Sequence, residues 1–237
     1  LAYELTQSPA FLGYIGFANG LPSWIFMLYA GVIADRLPRR SVLMAAQTVM
    51  MVLAAILAVL AFTGLVRPWH LIVLALFLGI ANAFDAPARQ SFVLEMVPRE
   101  HMTNAIALNS SMFNAAAAIG PAFGGLIYAA VGPAWCFTFN AVSFLAVLAA
   151  LALMRLQPFK MQASKGRALA EIRAGLSYVV EQPLIRTIII NLTVVSLFGM
   201  SFITLLPAWA VKILGGDAAT NGYLQSARGA GAMIGAL

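Results

Sequence analysis

Gly31-Val-Ile-Ala-Asp35-Arg36-Leu-Pro38-Arg39-Arg40 lies between two long apolar runs, and its reading decides the fold. Asp35, Arg36, Arg39 and Arg40 are four ionised side chains within a few residues of one another. Each flank carries roughly 20 mostly apolar residues, the length that crosses a hydrocarbon core as a helix. Charge that dense cannot rest in lipid, so the stretch predicts a short water-facing turn between two membrane helices.

The rest of the chain agrees with that turn. Of its 237 residues, 62% are hydrophobic and 9% are charged, against about 25% charged in a soluble domain. Most of this surface therefore faces something other than water. The net charge of +6 does not imply a nucleic-acid partner, because the basic residues sit in the breaks between apolar runs and form no clustered face. One cysteine, Cys136, excludes an internal disulfide and reads as a small packing residue. Two histidines with that one thiol argue against a structural metal site.

Apolar runs of spanning length cover Phe11 to Ala34, Ser41 to Val66, Leu71 to Val93, Asn104 to Val131, Trp135 to Met154 and Leu184 to Val211, and a further run begins near Gly222. Helices are the expectation, since an open sheet leaves backbone groups unpaired in lipid. Arg36, Arg39, Arg40, Arg89, Arg99, Arg155, Lys160, Lys165, Arg167, Arg173 and Arg186 fall on or beside alternate connections; the opposite ones hold only Arg67 and Lys212. That bias puts the first group on the cytoplasmic side. Trp69, Trp135 and Trp209 lie at the other ends of the runs, as an outer aromatic belt requires. The chain divides into a bundle over 1–154, a basic linker over 155–183, and the start of a second bundle over 184–237. Within the linker Leu169, Ile172, Leu176 and Val179 recur at helical spacing, which reads as a surface helix or, alternatively, a solvated connection. The opening Leu1-Ala-Tyr-Glu-Leu-Thr reads as the tail of a helix, and Met233 to Leu237 stops inside an apolar run, so the chain reads as a segment of a longer protein. Gly13-Tyr14 with Ala18 and Gly20 recurs as Gly222-Tyr223 with Ala227 and Gly229, the mark of two parallel repeats.

Gly31, Asp35, Arg36, Arg39 and Arg40 resemble the signature Gly-x-x-x-Asp-Arg-x-Gly-Arg-Arg of the major facilitator superfamily, with Pro38 where that signature has Gly. Pro suits the start of the following helix. The resemblance implies an all-α polytopic membrane protein of two six-helix bundles, here from the end of helix 1 into helix 8. Gly120-Pro121-Ala-Phe-Gly124-Gly125 resembles a fifth-helix pattern that the family's antiporters carry. The same residues also read as plain close packing, since Ala116, Gly120 and Gly124 form a small-residue stripe. Asn82 to Gln90, followed by Ser91 to Glu95, is similar to the branch containing siderophore exporters and macrolide-efflux proteins.

Asn82, Asp85 and Arg89 share one helical face, and Asp85 precedes Arg89 by the spacing that favours an ion pair. Pro87 between them frees a carbonyl one turn back. Asp85 is expected to meet the arginines of the Asp35–Arg40 turn when the protein opens outward, forming a cytoplasmic latch; the alternative is a static boundary pair. Arg228, inside the last run, is expected either to line a central cavity opposite Asn19 and contact an anionic or polar substrate, or to reach the outer headgroups. Asn109 is a further cavity candidate, though Asn109, Asn114, Asn140 and Asn191 also suit interhelical hydrogen bonding.

The resemblance implies an exporter of a small organic molecule such as a siderophore or drug, working by alternating access. It would have no bound cofactor, a proton gradient as drive, a monomeric state, and a place in the bacterial cytoplasmic membrane. The alternatives are an uptake symporter or, from another class, a membrane enzyme or passive protein. An enzyme needs a nucleophile and base together; His70 and His101 fall on opposite sides, and Cys136 has no histidine beside it.

Overall fold

The computed structural model describes residues 1–154, 168–199 and 201–235. They form ten α-helices and no strand: α1 (Ala2–Thr6), α2 (Pro9–Arg36), α3 (Arg39–Phe62), α4 (Pro68–Glu95), α5 (Met102–Val131), α6 (Pro133–Leu153), α7 (Ala168–Glu181), α8 (Pro183–Gly199), α9 (Ser201–Lys212) and α10 (Ala218–Gly235), with one 3₁₀ turn, Arg99–His101. Four helical stretches, Arg39–Phe62, Pro68–Val93, Arg99–Val131 and Pro133–Leu153, are long and apolar enough to cross a membrane. At 30 residues α5 is the longest, about 45 Å at 1.5 Å per residue.

The chain marks its own helix starts. Pro9, Pro68, Pro133 and Pro183 each open a helix, where the missing N–H costs nothing and the fixed φ is already helical. The charged turn works differently. Leu37, forced out of the helical region by the proline after it, is extended at φ −107°, ψ 154° and ends α2. Pro38 precedes α3 as its cap, at φ −55°, one position earlier than the helix start expected of it. No residue of this turn has positive φ, so nothing there requires glycine and proline fits. The last helix starts at Ala218 rather than near Gly222, because its first turn is polar and apolarity alone misses it. Asp217 caps it, accepting from the Thr220 backbone N–H at 3.0 Å. That N–H, with the Thr220 hydroxyl, holds the exposed Asp217 carboxyl below the ordinary carboxylate range.

The packing is turned outward relative to a soluble protein. On α3 the buried positions Val42, Ala46, Met50, Ala54 and Ala58 recur every four residues, while Val49, Val52, Ile56 and Val59 are exposed, as a lipid-facing surface should be. Lipid removes the hydrophobic drive between helices, so close van der Waals contact through small side chains takes its place. In the first bundle α2 packs on α4, and α3 packs on α4 and α6. The end of this bundle that carries the charged turn is sealed by Val42, Leu43, Ala88, Phe92 and Leu151. The tightest crossing is α2 on α4, where a methyl group on Gly79 would collide with the Asn19 carbonyl. Gly79→Ala is therefore expected to lower stability by about 1–3 kcal/mol, read as an earlier thermal transition in detergent. An unchanged transition would show that this crossing is slack.

The two bundles meet along α5 and α10 and, less extensively, along α2 and α9. Both contacts lie toward the ends away from the charged turn, the ends expected to face outward, with Tyr3 and Leu12 packed on Ala208. The aromatic belt lies at the same ends, and the Trp135 ring stands edge-on to Phe62 with centroids 5.4 Å apart. On the opposite side α7 touches α8 and α2. The surface helix expected in the linker is α7, with Tyr178 and Val180 exposed; the connection before it, 155–167, lies outside the described residues, as do the side chains of Leu169, Ile172 and Leu176.

Candidate functional site

Two arrangements stand out. The first is a charge cluster at the end of the first bundle that carries the charged turn. Asp85 is buried at 7% exposure, and a buried carboxylate needs partners for its charge. It has three hydrogen bonds. Gln47, itself buried on α3, donates through Nε2 to Oδ1 at 2.7 Å. Arg89 donates through Nε and Nη2 to Oδ2 at 3.1 and 2.8 Å. The ion pair expected from the spacing within α4 is present. Its tie to α3 through Gln47 is not legible in the sequence, because an uncharged residue inside an apolar run carries no signal of its partner.

The arginines of the charged turn go elsewhere. Arg39 donates through Nη1 to the Ser91 carbonyl at 3.2 Å and lies 3.5 Å from Glu95. Arg40 donates to the Ala152 carbonyl at 2.6 Å and the Met154 carbonyl at 3.3 Å. The start of α3 is thus bound to the C-terminal ends of α4 and α6, where unpaired carbonyls concentrate negative charge. In this arrangement, with the bundles packed together at the ends away from the charged turn, Asp85 is held by Gln47 and Arg89; its pairing with the arginines of the turn is expected of the outward-open form, in which those ends part. Gly31, Asp35 and Arg36 lie in the last two turns of α2, and the side chains of Asp35 and Arg36 are outside the described residues. Arg40→Ala is expected to fray the end of α6, seen as faster amide exchange at Ala152 to Met154 with α4 unaffected; equal protection in the variant would remove this role.

The second arrangement is the seam between the bundles. A methyl group on Gly125 would come within 2.7 Å of the Ala218 carbonyl oxygen, and one on Gly222 within 2.5 Å of that of Pro121. Gly229 leaves no more room against Ala117. Here the backbones of α5 and α10 touch directly. Pro121 interrupts the ladder of α5, and the Ala122 N–H donates across the seam to Ser226 Oγ at 2.9 Å. Of the Gly120–Gly125 pattern, Pro121 and Gly125 face α10, whereas a side chain at Gly120 or Gly124 would meet open space. The repeat is real in position as well: Gly13 and Gly222 are each the fifth residue of their helices.

Of the cavity candidates, Arg228 and Asn109 are exposed on α10 and α5, while Asn19 is half-buried on α2. A cavity at the outer end of the seam is lined by other residues, among them Tyr3, Glu4, Tyr128, Asn221 and Gln225. Nothing in the sequence singles these out, because they come together only when α1 packs near α5, α9 and α10.

Residues 1–237 match the family model of transmembrane secretion effectors, MFS_3. The chain belongs to the major facilitator superfamily. Members of this superfamily are membrane transporters rather than enzymes. Over 98% of its length the chain is 27% identical to the staphyloferrin A transporter of Staphylococcus aureus, covering 58% of that protein. It is 28% identical to the multidrug efflux pump Tap of Mycolicibacterium fortuitum over 94% of the chain and 56% of the pump. With the enterobactin exporter EntS of Shigella boydii it shares 26% identity over 98% of the chain and 55% of the exporter. The chain thus spans a little over half the length of these curated relatives. As a superfamily member it is an all-α, multi-pass membrane protein.

Proposed function

We propose that this chain is part of a secondary active exporter of a small organic molecule, with a proton gradient as the drive, in a bacterial cytoplasmic membrane. The observation that carries the reading is the α5–α10 seam. Two backbones in contact, a proline inside α5 and one cross-seam hydrogen bond make a joint about which two packed bundles can tilt. An interface of that kind has discrete arrangements rather than a continuum. Relatives named for export of siderophores and drugs give the direction and the size class of the cargo.

The cytoplasmic cluster would serve as the switch. All described partners of Asp85, Arg39 and Arg40 lie in the first bundle, so the cluster keeps that bundle rigid as it tilts. Arg89 is half-exposed and can turn toward the second bundle when the cytoplasmic side closes. Asn19, Asn109 and Arg228 are the residues proposed to meet polar groups of the cargo between the bundles. No bound cofactor is needed, and one copy would suffice.

The test is transport by the intact protein in proteoliposomes, with and without an imposed pH gradient. Gradient-dependent movement of drug or siderophore opposite to the proton flow supports export. Accumulation in the same direction as the protons would establish uptake instead.

A further inference from the structure

Among the described residues, proline stands inside four helices: Pro22 in α2, Pro87 in α4, Pro121 in α5 and Pro207 in α9. A proline has no N–H to give the carbonyl four residues back, and its ring crowds that turn of the helix. In α5 the carbonyl so stranded is that of Ala117. It is turned toward α10, where Gly229 lies against it with no Cβ between them. The next N–H along, that of Ala122, is also turned toward α10 and donates to Ser226 Oγ at 2.9 Å. An N–H in an unbroken α-helix points along the axis at a carbonyl of its own helix and offers little to a neighbour. Both groups in the turn that Pro121 interrupts thus meet the same face of α10.

Ser226 behaves unlike the threonines of these helices. Thr48, Thr138, Thr187 and Thr193 each donate to the carbonyl four residues back in their own helix, the ordinary local bond of a helical hydroxyl. The Ser226 oxygen instead accepts from a helix of the other bundle. That bond exists only while α5 and α10 touch. When they part, Ser226 can turn back to its own helix as those threonines do, and the Ala122 N–H meets the water that enters the cleft. In the closed seam an Ala122 N–H without Ser226 would be held against packed neighbours, and a buried donor with no acceptor is costly. The hydrogen bond therefore favours the arrangement in which the outer ends are together.

We infer that Pro121 and Ser226 act as a pair: the proline releases the Ala122 N–H from its own helix, and Ser226 takes it across the seam and so holds the outer ends together. For its effect on opening the inference rests on the tilting of the two bundles proposed above; the pairing itself rests on the α5–α10 contact alone. The experiment uses the intact protein in lipid nanodiscs, with Cys136→Ala and with spin labels on Val131→Cys and Ile213→Cys. Distances across the seam are read without compound or gradient. Ser226→Ala is expected to lower the ratio of short to long distances by roughly three- to tenfold. With Pro121→Ala added, the ladder of α5 is whole and keeps the Ala122 N–H, so loss of the Ser226 hydroxyl should leave the ratio nearly unchanged. Amide exchange at Ala122 is the second readout, expected to be faster in Ser226→Ala and slow again once Pro121→Ala is added. Should Pro121→Ala fail to fold, Ser226→Ala decides by both readouts. A ratio that Ser226→Ala leaves alone, in a protein that does show two distances, would overturn the inference. So would equal shifts with and without Pro121, which would assign Ser226 to packing. One distance in every variant, even with a transported compound, would sink the tilting reading, while exchange at Ala122 behaving as expected would leave the pairing standing.

Discussion

Replacing Gly229 by valine is expected to reduce transport by at least tenfold while the protein still inserts into the membrane. Even a single added carbon at this position meets the Ala117 carbonyl and the backbone of Ala118, and both belong to a helix that cannot yield as a flexible side chain would. The seam must then open by an ångström or more along the outer half of α5 and α10. Close packing is what holds membrane helices together, so the outer ends of the two bundles separate and the outward-closed arrangement loses population. A cysteine placed at Gln225 would become more reactive toward a water-soluble thiol reagent in the Gly229→Val background. Valine at Gly231, where a side chain meets open space, is the control and is expected to transport normally. Equal behaviour of the two variants would mean that the seam does not bear on transport.

The second large effect belongs to Asp85. Asp85→Leu removes the acceptor of three hydrogen bonds and leaves Gln47, 2% exposed, with a buried amide and no partner. Stranding one partner of a fully buried ion pair costs about 3–5 kcal/mol. Arg89 is half-exposed and can return to water, so the expected loss is smaller, about 1–3 kcal/mol. Asp85→Asn keeps an acceptor for Gln47 and loses only the charge, and should fall between wild type and Asp85→Leu. Thermal unfolding in detergent would rank the three. Gln47→Leu combined with Asp85→Leu is expected to recover part of the loss, because the stranded amide is gone. If the double variant is no more stable than Asp85→Leu alone, Gln47 is not the partner that matters.

What the sequence makes legible here is what the bilayer dictates. A fixed hydrocarbon thickness sets helix length, so α2 to α6 coincide with the expected apolar runs to within a few residues at their ends. Arginine placement and tryptophan belts follow from the two interfaces, and the family signatures follow from the charged turn and the Gly-Pro pattern. Contacts local to one helix were equally accessible, as with Asp85 and Arg89 at four residues' spacing. Contacts between helices were not. Gln47 and Ser226 look like incidental polar residues until α3 meets α4 and α10 meets α5. Arg40 reads as a topology charge, yet its hydrogen bonds close the carbonyl end of α6, more than a hundred positions away in sequence. Tyr3, Tyr128, Asn221 and Gln225 share a cavity only because α1, α5 and α10 converge at the outer face. The polar first turn of α10 is marked by its Asp217 cap rather than by hydropathy, so it lies outside the apolar run.

The central claim is that two rigid bundles tilt about the α5–α10 seam. Pulsed electron resonance distances between spin labels on exposed outer positions test it most directly. One pair, Val131 with Ile213, reports across the bundles; the other, Leu65 with Val131, reports within the first bundle. On addition of a transported compound, the cross-bundle distance is predicted to shift by several ångströms while the within-bundle distance stays fixed. A fixed cross-bundle distance, or both distances changing together, would contradict it.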